Sequence, residues 1–178
     1  LALANRLADA AAAVIRPLFR TAFTHEAKGD ASPVTEADRA AEAAMRKLLD
    51  AEAASDGIIG EEYGAERPDA ARQWVLDPID GTVSFMAGRP IFGTLIALLQ
   101  DGWPVLGIID QSVSGERWVG ATGRPTLFNG VEARTRRCPA GRTHRDRPIR
   151  RRRRTKPVRA PWRALRSVDR GSHGLEGA

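Results

Sequence analysis

The 178-residue sequence has few of the features that mark secreted or membrane proteins. Its one cysteine, Cys138, excludes an internal disulfide and gives no indication of an oxidising compartment. No apolar run approaches the length of a membrane span, and no signal-peptide pattern is present. The three histidines, His25, His144 and His173, have no metal-ligand spacing among themselves. We therefore expect a cytoplasmic protein with no membrane partner.

The net charge of +6 is an average over two unlike segments. Residues 1–130 carry −6 and residues 131–178 carry +12, and the hydrophobic fraction of 42% is typical of a globular protein. From about Arg134 the periodicity ends, and an arginine run at 150–154 and scattered prolines follow. Such a composition buries too little apolar surface to offset the entropy of ordering. We expect a domain at 1–133 and a mostly disordered basic tail at 134–178.

The arginine run gives the tail one possible partner, nucleic acid. Phosphate backbones attract such runs strongly and without sequence preference. The only aromatic residue nearby is Trp162, so no aromatic pattern supports base stacking. We favour a solvated segment without a selected ligand, and non-specific nucleic-acid binding by an inactive fragment is the rival hypothesis from another functional class.

The first 130 residues predict two helices and a set of short strands. Apolar residues at helical spacing predict a helix over 2–20, and a second helix follows the predicted N-cap Thr35 to about residue 54. Residues 24–34 and 63–72 are predicted to be loops. Strands are predicted at 58–60, 74–77, 91–99, 105–110 and 117–121, and a hairpin begins at 126–130. The fold class predicted is α/β, an α+β layered sandwich with two helices packed on a mainly antiparallel sheet.

Two carboxylates, Asp77 and Asp80, follow the apolar strand at 74–77. The residue before a proline is extended, Gly81 tolerates unusual backbone angles, and Thr82 can begin a short helix. The start of a helix offers N–H groups to an anion, and carboxylate oxygens are preferred by magnesium. An ordinary Asp-Pro turn with a capping threonine explains the spacing about as well.

Glu61 and Asp38 are the other acidic candidates. Glu61 and its neighbour Glu62 end a short strand that we expect to lie beside the strand ending at Asp77, and carboxylates crowded together favour a cation between them. Taken alone, Glu61 would be a solvated loop residue, and Asp38 would be a first-turn acid that caps a helix.

Together these segments resemble the inositol monophosphatase family. The resemblance is carried by Gly60-Glu61-Glu62, by Trp74-Val75-Leu76-Asp77-Pro78-Ile79-Asp80-Gly81-Thr82, and by the segment from Lys28 to Asp38. Residues 89–95 and 107–118 look most similar to the bacterial histidinol-phosphatase branch. The resemblance extends to about Arg134 and implies a fold with the N-terminal half of an αβαβα sandwich. It also implies a magnesium-dependent phosphomonoester hydrolase, commonly a homodimer, with a small phosphomonoester substrate.

Histidinol phosphate, from histidine biosynthesis, is the substrate best supported by this resemblance, and inositol monophosphate or another sugar phosphate is the rival. The resemblance assigns the first magnesium ion to Glu61, Asp77 and the backbone carbonyl of Ile79. It assigns the second magnesium ion to Asp77 and Asp80. Glu61 would also contact a third, weaker metal site.

The resemblance further implies how phosphate and water are bound. Backbone N–H groups of Gly81 and Thr82 would contact the phosphate, and Asp38 would accept a hydrogen bond from the Thr82 hydroxyl. Catalysis would depend on Glu61, Thr82 and Asp38, which orient the attacking water. The residues implied in substrate binding are Glu61, Asp77, Asp80, Gly81 and Thr82.

One departure from the family concerns its second half, which supplies a Trp-Asp-x-Ala motif whose aspartate completes the second metal site. No tryptophan in this sequence precedes an aspartate. We expect that a truncated or frameshifted reading frame has replaced that half from about residue 135, and that the chain begins partway into a reading frame. We therefore expect little or no phosphatase activity from this chain alone.

Overall fold

The computed structural model describes residues 1–21, 25–27 and 33–135. The expectations about Lys28 and about the tail from residue 136 onward lie outside these residues. The elements, in chain order, are α1 (Ala2–Leu18), β1 (His25–Ala27), β2 (Pro33–Thr35), α2 (Glu36–Glu52), β3 (Gly57–Gly60), β4 (Gly64–Glu66), β5 (Arg72–Asp80), α3 (Thr82–Met86), β6 (Gly93–Gln100), β7 (Trp103–Gln111), β8 (Glu116–Ala121), β9 (Leu127–Phe128) and β10 (Val131–Glu132).

Strands β3 to β10 form one sheet of eight strands in the order β10-β9-β8-β7-β6-β5-β3-β4, and β1 pairs with β2. The strand pairs are antiparallel except for β3 and β5, which run parallel with Gly60 opposite Leu76. The carboxyl ends of two parallel strands meet at the same edge of a sheet. Glu61, which follows β3, therefore lies beside Asp77 of β5, and the predicted adjacency of these strands is confirmed.

Helices α1 and α2 form a layer on one face of this sheet, as predicted. α2 begins at a capping box, in which Asp38 N–H donates to Thr35 Oγ1 and Thr35 N–H donates to Asp38 Oδ2 at 2.9 Å. The two helices and the sheet share one apolar core that includes Leu7, Ile15, Met45, Leu49, Ile58, Trp74, Leu76, Ile96 and Ile108. No helix in the described part of the chain is both long and apolar enough to span a bilayer.

α1 is also tied to the far end of the described chain by polar contacts. Arg117 of β8 donates to Asp9 Oδ1 at 2.8 Å, although the two residues are 108 positions apart. Arg117 also donates to Asp110 Oδ1 at 2.7 Å, and Arg16 of α1 donates to the Ser112 carbonyl at 2.6 Å. The first helix is therefore held by residues from the loop after β7 and from β8.

The opposite face of the sheet leaves large apolar side chains accessible. Ile109 of β7 and Trp118 of β8 are cross-strand neighbours and are 50% and 41% exposed. Ile108 and Val119, the next pair in the same register, are only 2% and 7% exposed because they belong to the core shared with the helices. Alternate residues of a strand point to opposite faces, so this contrast distinguishes a covered face from a more open one.

Three sequence predictions are wrong in their boundaries. Residues 24–34 were expected to be a loop but contain β1 and the first two residues of β2, and residues 63–72, also expected to be a loop, contain β4. These strands are only three residues long, too short for an alternating pattern to predict them. The strand expected to end at Asp77 continues as β5 to Asp80, with a register shift between the two aspartates. Thr94 of β6 accommodates this irregularity, since its hydroxyl donates to the Pro78 carbonyl at 2.8 Å.

Candidate functional site

Four carboxyl groups lie near the carboxyl ends of β3 and β5, and we call this group the acidic edge: Asp38, Glu61, Asp77 and Asp80. Glu61 is fixed to β5 by its backbone, since its N–H donates to the Leu76 carbonyl at 3.1 Å. Asp77 is half-buried, whereas Glu61 and Asp80 are exposed. Asp77 Oδ1 is buried and has no hydrogen-bond partner among the residues that the structure describes.

The crowding at the acidic edge changes the protonation of Asp77. Burial, then a side-chain hydrogen bond with Glu61, then the charges of Glu61, Asp80 and Asp38 raise the pKa of Asp77 to about 8. A hydrogen bond between two carboxyl groups requires a proton on one of them. Near neutral pH the Asp77 carboxyl group therefore keeps a proton that an ordinary aspartate would have released, and a bound cation would relieve the same repulsion.

Asp38 connects the acidic edge to α2. Its Oδ2 accepts hydrogen bonds from the backbone N–H and the hydroxyl of Thr35. Burial raises the pKa of Asp38, and the hydrogen bonds with Thr35 oppose that change. The side chain thus serves both as the helix cap that the sequence allowed and as a member of the acidic edge.

Thr82 lies between two acceptors at the start of α3. Its Oγ1 is 3.1 Å from the carbonyl oxygen of Ile79 and 3.4 Å from Asp38 Oδ1. The hydroxyl carries one proton and so donates to only one of these oxygens at a time. The structure therefore brings together Asp38, Thr82 and the Ile79 carbonyl, three groups that the sequence predicted for the site.

Gly81 makes the turn from β5 into α3 possible. Its φ of 96° lies in the left-handed region, and a Cβ at this position would be 3.3 Å from the Ile91 carbonyl oxygen. α3 is then anchored by Phe85, whose ring centroid is 5.2 Å from that of Phe92 and 5.9 Å from that of Phe19. The backbone after Asp80 is held by packing on both sides of the turn.

The oxygen atoms of the acidic edge are of the chemical type that divalent cations prefer. Among the described residues, no three or more His, Cys, Asp or Glu side chains are grouped as a complete metal site. The donors present are the carboxyl groups of Glu61 and Asp77 and the Ile79 carbonyl, a partial set of the hard oxygen ligands that magnesium prefers. Asp77 Oδ1, which is buried and has no hydrogen-bond partner among the described residues, is one oxygen of this set that could ligate a cation.

Two residues that support the site were not predicted from the sequence. Thr94 holds the Pro78 carbonyl, and Glu42 of α2 is completely buried beneath the turn that carries Glu61. Glu42 lies on the buried face of α2 together with Ala41 and Met45. A single acidic residue among apolar residues of one helix face is the sequence feature that could have indicated a buried carboxyl group.

A separate open cavity of about 370 Å³ lies elsewhere on the domain. Its lining includes Asn5, Arg16, Asp110, Arg117 and Asn129, and none of the predicted site residues. The chemistry of the carboxyl groups, rather than the size of a cavity, identifies the candidate site.

The profile of the inositol monophosphatase family matches residues 1–160. The chain belongs to this family. The match extends past residue 133, where the sequence predicted the end of the domain, and that boundary stays a prediction. The layered arrangement of two helices on a mostly antiparallel sheet is the inositol monophosphatase-like fold, so the predicted fold class is confirmed.

Relatives within the inositol monophosphatase family bear several phosphatase names. The chain is 51% identical over 140 residues to the chloroplastic bifunctional phosphatase IMPL2 of Arabidopsis thaliana, covering 78% of this chain and 40% of that protein. It is 41% identical over 138 residues to a histidinol-phosphatase of Mycobacterium tuberculosis, covering 77% and 53%. A solved inositol monophosphatase from Zymomonas mobilis aligns with a TM-score of 0.65 at 60% identity, covering 77% and 53%. The chain spans about half the length of these relatives.

Proposed function

We propose that the acidic edge is part of a magnesium-dependent phosphatase site that hydrolyses a small phosphomonoester. The observation that carries this proposal is the buried, unpartnered Oδ1 of Asp77 beside the carboxyl group of Glu61. Holding two carboxyl groups side by side costs free energy unless a cation neutralises them, and a cation beside a phosphate-binding turn can stabilise the charge that develops in phosphomonoester hydrolysis. Family membership supports the same reaction class.

The residues that would hold magnesium are those of the acidic edge and its turn. Glu61, Asp77 and the Ile79 carbonyl would hold one ion, and Asp77 with Asp80 would hold a second. Bound magnesium supplies charge neutralisation at the phosphoryl oxygens and a lower pKa for a bound water molecule. Three of these four donors, Asp77, the Ile79 carbonyl and Asp80, belong to one short irregular segment of β5, so the register shift between Asp77 and Asp80 sets their spacing.

The remaining residues bind phosphate and orient water. The N–H groups of Gly81 and Thr82 stand at the start of α3, where backbone N–H groups have no partner within the helix. When the Ile79 carbonyl binds another group, the Thr82 hydroxyl would donate its hydrogen bond to Asp38 Oδ1, and a lone pair of Thr82 Oγ1 would face a water molecule. Glu61 accepts a proton of the same water. Together they would fix the direction from which the water attacks phosphorus.

For the substrate we propose histidinol phosphate, with inositol monophosphate or a related sugar phosphate as the rival. The name of the Mycobacterium tuberculosis relative, a histidinol-phosphatase, supports histidinol phosphate. The name of the Arabidopsis thaliana relative supports a phosphatase without specifying the substrate. The name of the Zymomonas mobilis relative supports the rival. The form that we propose for the complete protein is a cytoplasmic homodimer, in line with the family resemblance and the single cysteine.

Magnesium binding to the full chain, measured by isothermal titration calorimetry, tests the site separately from catalysis. We expect the wild-type chain to bind magnesium and Asp77→Asn to bind at least about tenfold more weakly, because the variant loses a charged ligand. Asp101→Asn, at an exposed turn, is the matched control and should bind as the wild type does. Equal binding by Asp77→Asn and the wild type would refute the proposed site.

Phosphate release from histidinol phosphate and from inositol 1-phosphate, each with magnesium and with a chelator, tests the reaction. We expect turnover far below the common range of roughly 1–10³ s⁻¹, because the chain spans about half of its relatives. A magnesium-dependent rate within that range would support the reaction class and overturn the expectation that this chain is catalytically incomplete. The substrate with the higher kcat/KM would decide between the two candidates.

A further inference from the structure

Glu42 of α2 is a fully buried carboxylate that the proposed chemistry does not use. Its Oε2 accepts a hydrogen bond from the N–H of Glu62 at 2.7 Å, and its Oε1 is 3.3 Å from the N–H of Tyr63. Arg46, one helical turn further along α2, donates from Nε to the same Oε1 at 2.8 Å. A buried carboxylate is stable only when such donors satisfy it, so its contacts define what it does.

The donors satisfied by Glu42 belong to the turn between β3 and β4. This turn begins with Glu61, whose own N–H donates to Leu76 of β5. Three successive backbone N–H groups are therefore held from two sides, the first by the sheet and the next two by α2. Arg46 adds two further contacts between α2 and this region, because it donates to the Gly64 carbonyl at 2.5 Å and to Glu66 Oε2 at 3.3 Å.

The backbone before the turn leaves no space between itself and Glu42. A Cβ at Gly60 would lie 1.8 Å from Glu42 Oε1, so only glycine allows the carboxylate to approach this closely. Among the described residues, the Glu42 carboxyl group has hydrogen bonds outside this turn to Arg46 alone. An ion pair between Glu42 and Arg46 could form on the surface of α2 alone. It does not explain why the Glu42 carboxyl group also lies against the backbone N–H groups of residues 62 and 63.

We propose that Glu42 is a positioning residue: from α2 it holds the backbone of the β3–β4 turn so that the Glu61 carboxyl group faces Asp77. This proposal rests on the proposed function of the acidic edge. Glu42 acts through the backbone of residues 61–63 and does not contact substrate or metal. Outer contacts of this kind determine how well a ligand residue is oriented, and their loss typically weakens metal binding about 10–100-fold.

The first test is manganese and magnesium binding to the full chain carrying Glu42→Gln. The amide keeps the shape of the side chain but has one acceptor oxygen, so one turn N–H loses its partner. The matched control is Met45→Ala, which removes a buried side chain from the next turn of the same helix face and lowers stability while the hydrogen bonds from residues 62 and 63 to Glu42 remain. We expect Kd for both metals to rise about tenfold in Glu42→Gln and to stay within about twofold in Met45→Ala.

A second measurement separates this proposal from the proposed function. Amide hydrogen exchange, measured without metal under folded conditions, should accelerate about tenfold in Glu42→Gln at Glu62 or Tyr63, whichever N–H loses its acceptor, and at neither of them in Met45→Ala. If the wild-type chain binds neither metal, the proposed function fails and the exchange rates alone decide whether Glu42 holds the turn. Unchanged exchange in Glu42→Gln, or equal weakening of metal binding by Met45→Ala, would overturn the positioning role.

If Glu42→Gln yields no folded protein, Arg46→Gln replaces it. That change keeps the Glu42 carboxyl group but removes the guanidinium group that donates both to Glu42 Oε1 and to the Gly64 carbonyl. The same direction of change in Kd and in amide exchange is expected, and its absence would count against the proposal.

Discussion

The pKa of the Asp77 carboxyl group differs between the folded and the unfolded chain, so its protonation is coupled to folding. In the folded, metal-free chain its pKa is about 8, whereas the ordinary value for the unfolded chain is 3.8. Between these values the unfolded chain has released a proton that the folded chain still holds. The free energy of unfolding therefore decreases as pH rises through this window, and the loss is complete once pH exceeds the folded value.

This pH dependence can be measured by urea denaturation in the presence of a chelator. We expect the stability of the wild-type chain to fall from the acidic to the alkaline end of the window, and Asp77→Asn to lessen that fall because its side chain does not titrate. Asp101→Asn, in an exposed turn, should leave the slope unchanged. A profile for the wild type that is flat or rises with pH contradicts the environment assigned to Asp77.

The sequence predicted that the carboxyl groups of Asp77, Asp80 and Glu61 lie close together, whereas their roles were implied by the family resemblance. Asp77, Asp80 and Gly81 are consecutive features of one segment, and Glu61 follows a strand that could be recognised from two isoleucines and a glycine. Glu42 was not predictable in the same way. Glu42 matters because it accepts hydrogen bonds from the backbone of residues 62 and 63. The sequence alone does not predict that this backbone lies next to α2.

Among the elements, α3 depends most on a single position. Gly81 has a left-handed backbone at the point where β5 ends, and the carbonyl of Ile91 lies against it. Gly102, in the turn between β6 and β7, has a similar φ of 81° but no atom within 4 Å of a Cβ. The two glycines therefore share the backbone requirement and differ in the surrounding space.

Alanine at each glycine separates these two effects. We expect Gly102→Ala to cost about 1–2 kcal/mol of unfolding free energy, the cost of a left-handed alanine. Gly81→Ala should cost more and should also weaken binding of inorganic phosphate and magnesium, because α3 must shift away from Ile91. Urea denaturation and calorimetry measure the two quantities. Equal stability losses with unchanged ligand binding would show that the turn into α3 does not shape the site.

At this scale the sequence was informative wherever one residue determines a boundary. Thr35 was predicted as the N-cap of α2, and the capping box with Asp38 confirms it. The short pair β1 and β2 was missed because three-residue strands depend on each other for hydrogen bonds and carry no periodic pattern of their own. The continuation of β5 to Asp80 was missed because a proline ordinarily ends a ladder, whereas here Thr94 satisfies its carbonyl.

The described domain as a whole has a covered and a more open sheet face. Ile108 and Ile109 are neighbours in β7 on opposite faces, with 2% and 50% exposure. We expect Ile108→Ser to lower stability by more than about 2 kcal/mol, because it leaves a void and a hydroxyl group in the core. Ile109→Ser should change stability by no more than about 0.5 kcal/mol and should reduce self-association at high concentration.

Urea denaturation and sedimentation velocity on the two serine variants measure these effects. If Ile109→Ser were as destabilising as Ile108→Ser, the second face would be packed rather than accessible. If it left self-association unchanged, the exposed side chains of β7 and β8 would not be the surface through which copies of the chain meet.

The contact between Asp9 and Arg117 has a consequence for synthesis of the protein in the cell. α1 is translated first, yet its partner in β8 follows 108 residues later. At about 5–20 residues per second, on the order of 5–20 s pass before the ribosome supplies that partner. During that interval Asp9 and Asn5 of α1 have no Arg117 to contact, so the polar contacts that tie α1 to β8 form only after β8 has emerged.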